Sequence, residues 1–600
     1  MNSPPAADSP QQALQDALAL HRSGQHELAM KGYVAILQRN PGNVDALYYV
    51  AMLALQQGQL GEGLKVIARA LDIAPRQARL HNLAGQAHLR LNHDDDALQS
   101  FGRAIEAEPA FADAYGNRGT LLSEMGRATE AVADFDRALA LRPNNAEDHC
   151  NRASALADLG RYDEALAGFA RAIALIPAMA PAYFNRADVL RRLGRLPEAL
   201  RDYDKMIELY PEHPAAHGNR GLVLKELGRL PEAKSSIDRA LELDPNFAEG
   251  LVSRANIAFE EGRLAEAGAD YDRALELQPA IAEASHGRAL TYLCSGDWAN
   301  GFALYEARER LREPPFKPLP YPRWSDDAAP DERLVLLCEQ GLGDMIQFSR
   351  FAPLFAGRGF DVTLLALDSM RRLLSTLKSV TVAPIGDAST VNGKPTRCLP
   401  LMSAPHVLDL RPDSVPADVP YLTAEPSRVA QWDAWLGRHG FKIGINWALG
   451  NQRSRFARRR DIPLSAFAPL AAIPGVRLIS LQVGPPAQQI ASVAFRDKIE
   501  TPEADINPAD GSFLDAAALM TKLDLVVSCD TSLVHLAGAL ARPVFTALPS
   551  VPDWRWMQER EDTPWYPTMR LYRQRTPQNW DDVFARIAAA AAEMASAQQR

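Results

Sequence analysis

The sequence predicts a multidomain chain: an all-α array of paired helices, then an α/β region built as two halves. Three observations predict it. Prolines recur at Pro41, Pro75, Pro109, Pro143, Pro177, Pro211, Pro245 and Pro279, each 34 residues after the last. Glycines keep the same register at Gly24, Gly58, Gly126, Gly160, Gly194, Gly228, Gly262 and Gly296, with Asn92 in the one slot that lacks a glycine. After residue 314 the period stops, and short apolar runs alternate with helical stretches, the pattern of parallel sheets. A chain of 600 residues is in any case too long for one ordinary core.

The period has a physical reading. Five residues after each turn residue comes a small one, such as Ala97, Ala131 or Ala165, and four further on an aromatic or Ile, such as Phe101, Phe135 or Phe169. Each unit reads as a helix, a left-handed turn, a second helix and a helix-ending proline. Asn92 is expected to be left-handed like the glycines it replaces. A helix–turn–helix period of this length is that of the tetratricopeptide repeat, whose pairs must stack to bury their apolar faces. About nine units are expected over residues 11–314, after a disordered segment at 1–10 and before a Pro-rich linker at 315–332.

Asn117, Asn151, Asn185 and Asn219 share one position of the first helix, and each is followed by an arginine. Arg254 and Arg288 continue the arginine series. In this repeat the first helix faces the concave groove. A column of amides there suits the backbone of an extended peptide, because each offers a donor and an acceptor. The plainer reading is that the amides solvate the inner face while the arginines pair with acidic neighbours. The spacing resembles the asparagine ladder in the repeat superhelix of the nucleocytoplasmic O-linked N-acetylglucosamine transferases.

Residues 333–422 read as one α/β half, with strands at Leu334–Leu337, in DVTLLAL and in VTVAP. Residues 423–600 read as the other, with strands at Lys442–Asn446, in RLISLQVG, in LDLVVSCD and in PVFTALP. A cleft is expected between the halves, with the last helix, Trp580 to Ala592, able to pack back across the join.

Three segments point at that cleft. Gly341-Leu342-Gly343-Asp344 follows a strand, so glycines admit a ligand and Asp344 is placed to take a proton. Asp530, Thr531, Ser532 and His535 lie at a strand end and helix start, where amides and hydroxyls suit phosphate. Arg453, Arg455, Arg458, Arg459 and Arg460 follow the strand ending at Asn446, and guanidinium forks fit phosphate oxygens. Each has a bland counterpart: a tight turn, a capped helix with a packed histidine, a solvated charge run.

Together the stretches LLCEQGLGDMIQFSRFAPL, INWALGNQRSRFARRRDIPL, RLISLQVG, LDLVVSCDTSLVHLAGALARPVFTALP and PDWRWMQEREDTPWYPTMRLYRQ resemble the bacterial glycosyltransferases related to the lipopolysaccharide heptosyltransferases. With the repeats, the chain is similar to repeat-bearing bacterial protein glycosyltransferases, flagellin-modifying ones among them. The resemblance implies a GT-B-type domain of two Rossmann-like halves after the repeat superhelix. It implies Asp344 as acceptor base, and Gly341, Gly343, Asp553, Trp554 and Trp556 around the acceptor or sugar. It places Asn446, Trp447, Arg459, Arg460, Asp530, Thr531, Ser532 and His535 at the donor nucleotide. Where heptosyltransferases carry a glycine after the Asp/Ser-Thr pair, this chain has Ser532-Leu533, which implies a different phosphate contact.

Composition excludes some classes. A formal net charge of −9 gives no global pull toward nucleic acid. No run is apolar enough to span a bilayer, the N-terminus lacks a signal-peptide pattern, and Cys150, Cys294, Cys338, Cys398 and Cys529 lack metal-ligand spacing. The expectation is a cytoplasmic, metal-independent, inverting glycosyltransferase. It uses a nucleotide-sugar co-substrate and no resident cofactor, on a protein acceptor held by the repeats, with self-association through the repeat ends left open. Two rivals are a non-catalytic scaffold or export adaptor, and a transferase acting on lipid or glycan.

Overall fold

In the computed structural model of this chain the described residues are 10–311, 319, 321–325, 328–329, 332–385, 396–449, 459–502, 506 and 513–598. They form two compact units, Met1–Leu243 and Asp244–Arg600.

The first unit is all helix. Seven antiparallel pairs run from Pro10–Arg22 and His26–Arg39 to Pro214–Glu226 and Leu230–Leu243. Every turn between the partners of a pair is left-handed: Gly126 has φ 74°, Gly160 73° and Asn92 57°. The second-helix aromatics are the largest buried side chains here; Phe101, Phe135, Phe169 and Tyr203 are fully buried. Phe101 lies on Gly85 and Phe135 on Gly119, where a Cβ would come to 2.5 and 3.0 Å from the ring. The small residues therefore let the helices of one pair close on an aromatic wedge.

The arginine series is tied up in the array. Arg118 bonds Asp134 at 2.6 Å and Arg186 bonds Asp202 at 2.7 Å, each on the second helix of its own repeat. Arg152 bonds Asp136 and Arg220 bonds Asp204, both at 2.6 Å, each on the repeat before. Forward and backward clamps thus alternate.

The second unit begins with two more pairs, Ala248–Glu260 with Leu264–Leu277 and Ala282–Ser295 with Trp298–Tyr305. Arg254 and Arg288 continue the alternation, onto Asp270 at 2.7 Å and Asp272 at 2.8 Å. Two parallel sheets follow. The first has order β3-β2-β1-β4, from β1 (Arg333–Leu337), β2 (Asp361–Ala366), β3 (Thr381–Pro384) and β4 (Thr396–Pro400). The second has order β10-β9-β8-β5-β6-β7, from β5 (Phe441–Asn446), β6 (Val476–Ser480), β7 (Ile499–Glu500), β8 (Leu525–Cys529), β9 (Val544–Leu548) and β10 (Met569–Arg573). The central strands β5, β8 and β9 of the second sheet are buried throughout, as expected when helices cover both faces. In the second sheet the order reverses between β5 and β8, the doubly wound arrangement that leaves a crevice at the strand ends.

One apolar core joins the last repeat pair to the first sheet and to helices of the second half. Trp298 of the last pair stacks on Trp565 with centroids 5.0 Å apart. The terminal helix, Asp581–Gln598, does not pack across the join. Its Phe584 lies 4.3 Å, centroid to centroid, from Phe467, and its apolar stripe belongs to the core of the second half. All five cysteines are buried and unpaired. Among the described residues no helix is long and apolar enough to cross a membrane.

Candidate active site

β1 runs out through Glu339 and Gln340 into Gly341, which caps the helix Leu342–Phe348. Asp344, in the first turn of that helix, accepts the Gly341 N–H at 3.1 Å through Oδ2. β8 runs out into Asp530 and Thr531, the cap of the helix Ser532–Ala539. These two helices pack against each other, and Gly343 is the point of contact. A Cβ there would stand 3.1 Å from His535 Cδ2 and 3.5 Å from Ser532 Cα. Gly341 has no such constraint: its φ is −65° and the nearest atom to a Cβ is 3.5 Å away.

A cavity of about 270 Å³ opens at the strand-order reversal. Leu342 lines it from the first half, and Asn446, Gln482, Thr531, Ser532 and Leu533 from the second. Its walls are mostly apolar, with Leu449, Leu481, Val483 and Phe513 among them, and a lattice of buried amides lies beneath. Asn446 donates to Gln482 Oε1 at 2.9 Å and accepts the Ser528 and Thr531 hydroxyls at 3.1 Å each. Gln482 Oε1 also takes the N–H groups of Trp447 and Ala448. Asn446 is therefore engaged on both its atoms. Trp447 is fully buried, its ring turned onto Phe467, so it supports the floor and presents no indole to the cavity.

His535 is packed. It stacks on Trp556 at 5.4 Å and meets the Tyr566 hydroxyl at 3.2 Å through Nδ1. Burial first, then the guanidinium of Arg555, holds its pKa well below the ordinary value, so it is neutral at pH 7.

The acidic groups gather around one guanidinium that the sequence did not single out. Arg555 bonds Asp344 Oδ1, donates to Asp553 Oδ1 at 2.8 Å and to Gln347 Oε1 at 2.9 Å, and lies over the Trp554 ring at 4.5 Å. Burial lifts Asp344 above the ordinary carboxylate range, and Arg555 opposes the lift. Burial also works against charge on Asp553, but Arg555 beside it wins and holds that group low. Asp530 is raised, by burial first, with Arg460 opposing from 3.3 Å.

A second cavity, about 320 Å³, is bounded by Gln340, the residue before the Gly341 turn. Gln340, Asp553, Trp554 and Arg555 line it together with Phe259, His286 and Tyr305 of the last two repeat pairs. Trp554 is wedged against Phe302 at 5.7 Å. Trp556 faces His535 instead. Arg459 does not point to the first cavity; it donates to the Glu260 carbonyl at 2.9 Å. Arg453, Arg455 and Arg458 lie outside the described residues.

In the first unit the amide column is half-buried and bonded backward. Asn117 donates to Asn82 at 2.9 Å, Asn151 to Thr120 at 3.5 Å and Asn185 to Ser154 at 3.1 Å. Asn117 and Asn82 also line a cavity of about 500 Å³ with Tyr48, Met52, Arg79 and Phe111.

The arrangement defines a repeat-bearing protein with a doubly wound α/β region whose two strand-end helices meet at Gly343. Known families bear on both parts. Tetratricopeptide-repeat models match residues 20–87, 112–145, 150–214 and 219–281. The model described as glycosyltransferase family 9 (heptosyltransferase) matches residues 484–548, which include Asp530 to His535. The chain thus carries tetratricopeptide repeats and a heptosyltransferase-like segment. It is 28% identical over 330 residues to Protein FlbA of Caulobacter vibrioides, covering 52% of this chain and 55% of that protein, so it spans about half the length of that relative. Among solved structures it is similar to YrrB, described as a TPR protein with an unusual peptide-binding site (26% identity, 32% of this chain, 100% of that one, TM-score 0.27). It is also similar to pilF of Pseudomonas aeruginosa (19% identity, 36% of this chain, 97% of that one, TM-score 0.32). At these TM-scores the structural likenesses carry no functional weight.

Proposed function

We propose that this protein moves a sugar from a nucleotide-activated donor to serine or threonine hydroxyls of a protein acceptor held by the repeats. Flagellin is the acceptor to test first. One observation carries the reading: the turn that ends in Asp344 gives Leu342 to the cavity at the strand-order reversal and Gln340 to the cavity against the repeat helices, and Asp344 itself bonds Arg555 of the second. The first takes the donor. Its phosphates meet Thr531, Ser532 and the start of the following helix, where amide dipoles favour anions. Arg460 stands beside Asp530, with Arg459 one residue away, and Asn446 and Trp447 hold the floor. The second cavity takes the acceptor residue, between Gln340 and Asp553. The turn Gly341–Gly343 carries Asp344, Trp554 forms a wall of the second cavity, and Trp556 holds His535 behind the cleft.

In the proposed step the acceptor oxygen bonds to the anomeric carbon and its proton passes to Asp344. The bond from that carbon to the donor phosphate breaks, and the nucleotide leaves with the electron pair. Attack opposite the leaving phosphate inverts the centre, and the step draws on guanidiniums and amides without a metal. The acceptor cavity then draws on both halves and on the last repeat pairs, the donor cavity mainly on residues 423–600, and the amides of Asn117, Asn151, Asn185 and Asn219 serve the acceptor backbone.

The test is intact-mass analysis of acceptor proteins from cells carrying the wild-type chain or Asp344→Asn. Loss of a general base lowers the rate by about 10²–10⁴, so a sugar-sized mass on one protein disappears in the variant. Identical masses in both would remove the catalytic role and favour the adaptor.

A further inference from the structure

Asp344 carries the proposed chemistry, yet it is a half-buried carboxylate among other acids. Its side chain is 22% exposed, and Asp553 presents a second carboxylate to the same guanidinium. Asp530 and Tyr305 also face this cluster. Against these stand the buried guanidinium of Arg555, the more distant one of Arg460, and a neutral His535. Left with the acids alone, burial and like charge would favour the protonated form of Asp344.

We propose that Arg555 is a positioning residue for Asp344: it fixes one carboxylate oxygen and supplies the compensating charge, while the Gly341 N–H fixes the other oxygen. The geometry is specific. Oδ1 goes to Arg555 and Oδ2 to Gly341, so the plane of the carboxylate is set at both ends. Arg555 cannot drift, because Gln347 takes its Nε, Asp553 its other terminal nitrogen, and Trp554 lies beneath its plane. A guanidinium makes this three-way fork and an ammonium does not. Trp554 in turn rests on Phe302 of the last repeat pair, so the anchor of the fork is a repeat residue. The inference rests on the proposed function for its catalytic meaning, but the contact itself can be tested without turnover.

The experiment is carbon-13 NMR of the full chain labelled at aspartate Cγ, with the Asp344 signal assigned by its loss in Asp344→Asn. In Arg555→Met the midpoint of the Asp344 titration rises by about one pH unit or more, the size expected when a close opposite charge is removed. In Arg555→Lys, which keeps the charge and loses the fork, it rises by less. An unchanged midpoint in both variants overturns the proposal. A transfer assay separates the two readings. If the wild type transfers sugar, the acid limb of its pH–rate profile moves up in Arg555→Met, whereas a uniform loss at every pH would mark Arg555 as scaffolding only. If Asp344→Asn transfers as well as the wild type, the base assignment fails while the titration still decides the contact.

Discussion

At the scale of single residues, the two glycines of the turn separate cleanly. Gly343 is where two helices touch, and its neighbour His535 cannot retreat because Trp556 and Tyr566 hold its ring. Gly343→Ala therefore forces the helices apart by a few tenths of an ångström, at a cost of about 1–3 kcal/mol. Gly341→Ala meets nothing closer than 3.5 Å at an ordinary φ and leaves the thermal midpoint unchanged. Equal losses in the two variants would refute this account. The sequence made Asp344 and the Thr531 turn legible because both follow buried strands. Arg555 and Gln482 were not legible. Their partners lie far along the chain (Asp344 precedes Arg555 by 211 residues), and no local spacing encodes such a pairing. The motif also treated Trp447 and His535 as ligand contacts, whereas packing turns both into support.

At the scale of elements, the repeats were almost wholly legible, because period, turn and wedge repeat the same physics. Asn92 is the sharpest case. Its φ of 57° is costly for a side chain that lacks asparagine's local hydrogen bonding. Asn92→Ala is expected to cost about 1 kcal/mol, and Asn92→Gly nothing. Amide hydrogen exchange in the turn Leu91–His93 reads this directly, being faster in the alanine variant only. The edge strands were harder. β4, in TRCLP, ends in a proline, and β10, in MRLYR, alternates with arginines, so neither shows the unbroken apolar run of a central strand. The terminal helix was misplaced because its alanine-rich face fits many surfaces, and Val583, Phe584 and Ile587 are what tie it to the core of the second half.

At the scale of the whole molecule, the second unit joins repeat pairs and sheets through buried charge as well as apolar core. Arg308, just after the last repeat helix, bonds Glu339 at the end of β1 at 2.9 Å, with both side chains at most 1% exposed. Burial, against the pull of Arg308, pushes Glu339 up to about 7. Arg308 keeps Glu306 as a second anion at 2.8 Å, so it stays paired when Glu339 takes a proton. A folded-state pKa above the unfolded one means that stability is greatest below the unfolded value and declines as pH rises toward about 7. Measured against Glu339→Gln, which cannot titrate, the wild-type thermal midpoint should fall between about pH 5 and 7; parallel curves would contradict this. Arg308→Met strands two carboxylates and should cost about 3–5 kcal/mol.

The alternating clamps carry a consequence for how such an array can be lengthened or shortened. Asp134, Asp202 and Asp270 recur at every second repeat, with Gly168 and Ser236 in the positions between. The module that copies faithfully is therefore a double repeat. Removing two adjacent units re-creates every guanidinium–carboxylate match at the new junction. Removing a unit with a backward-reaching arginine leaves an aspartate such as Asp136 unclaimed, and removing one with a forward-reaching arginine sets the next backward-reaching arginine against Ala170, where no carboxylate stands. An array of this sort tolerates change in even steps, a parity rule written in charge that the helical period alone does not contain.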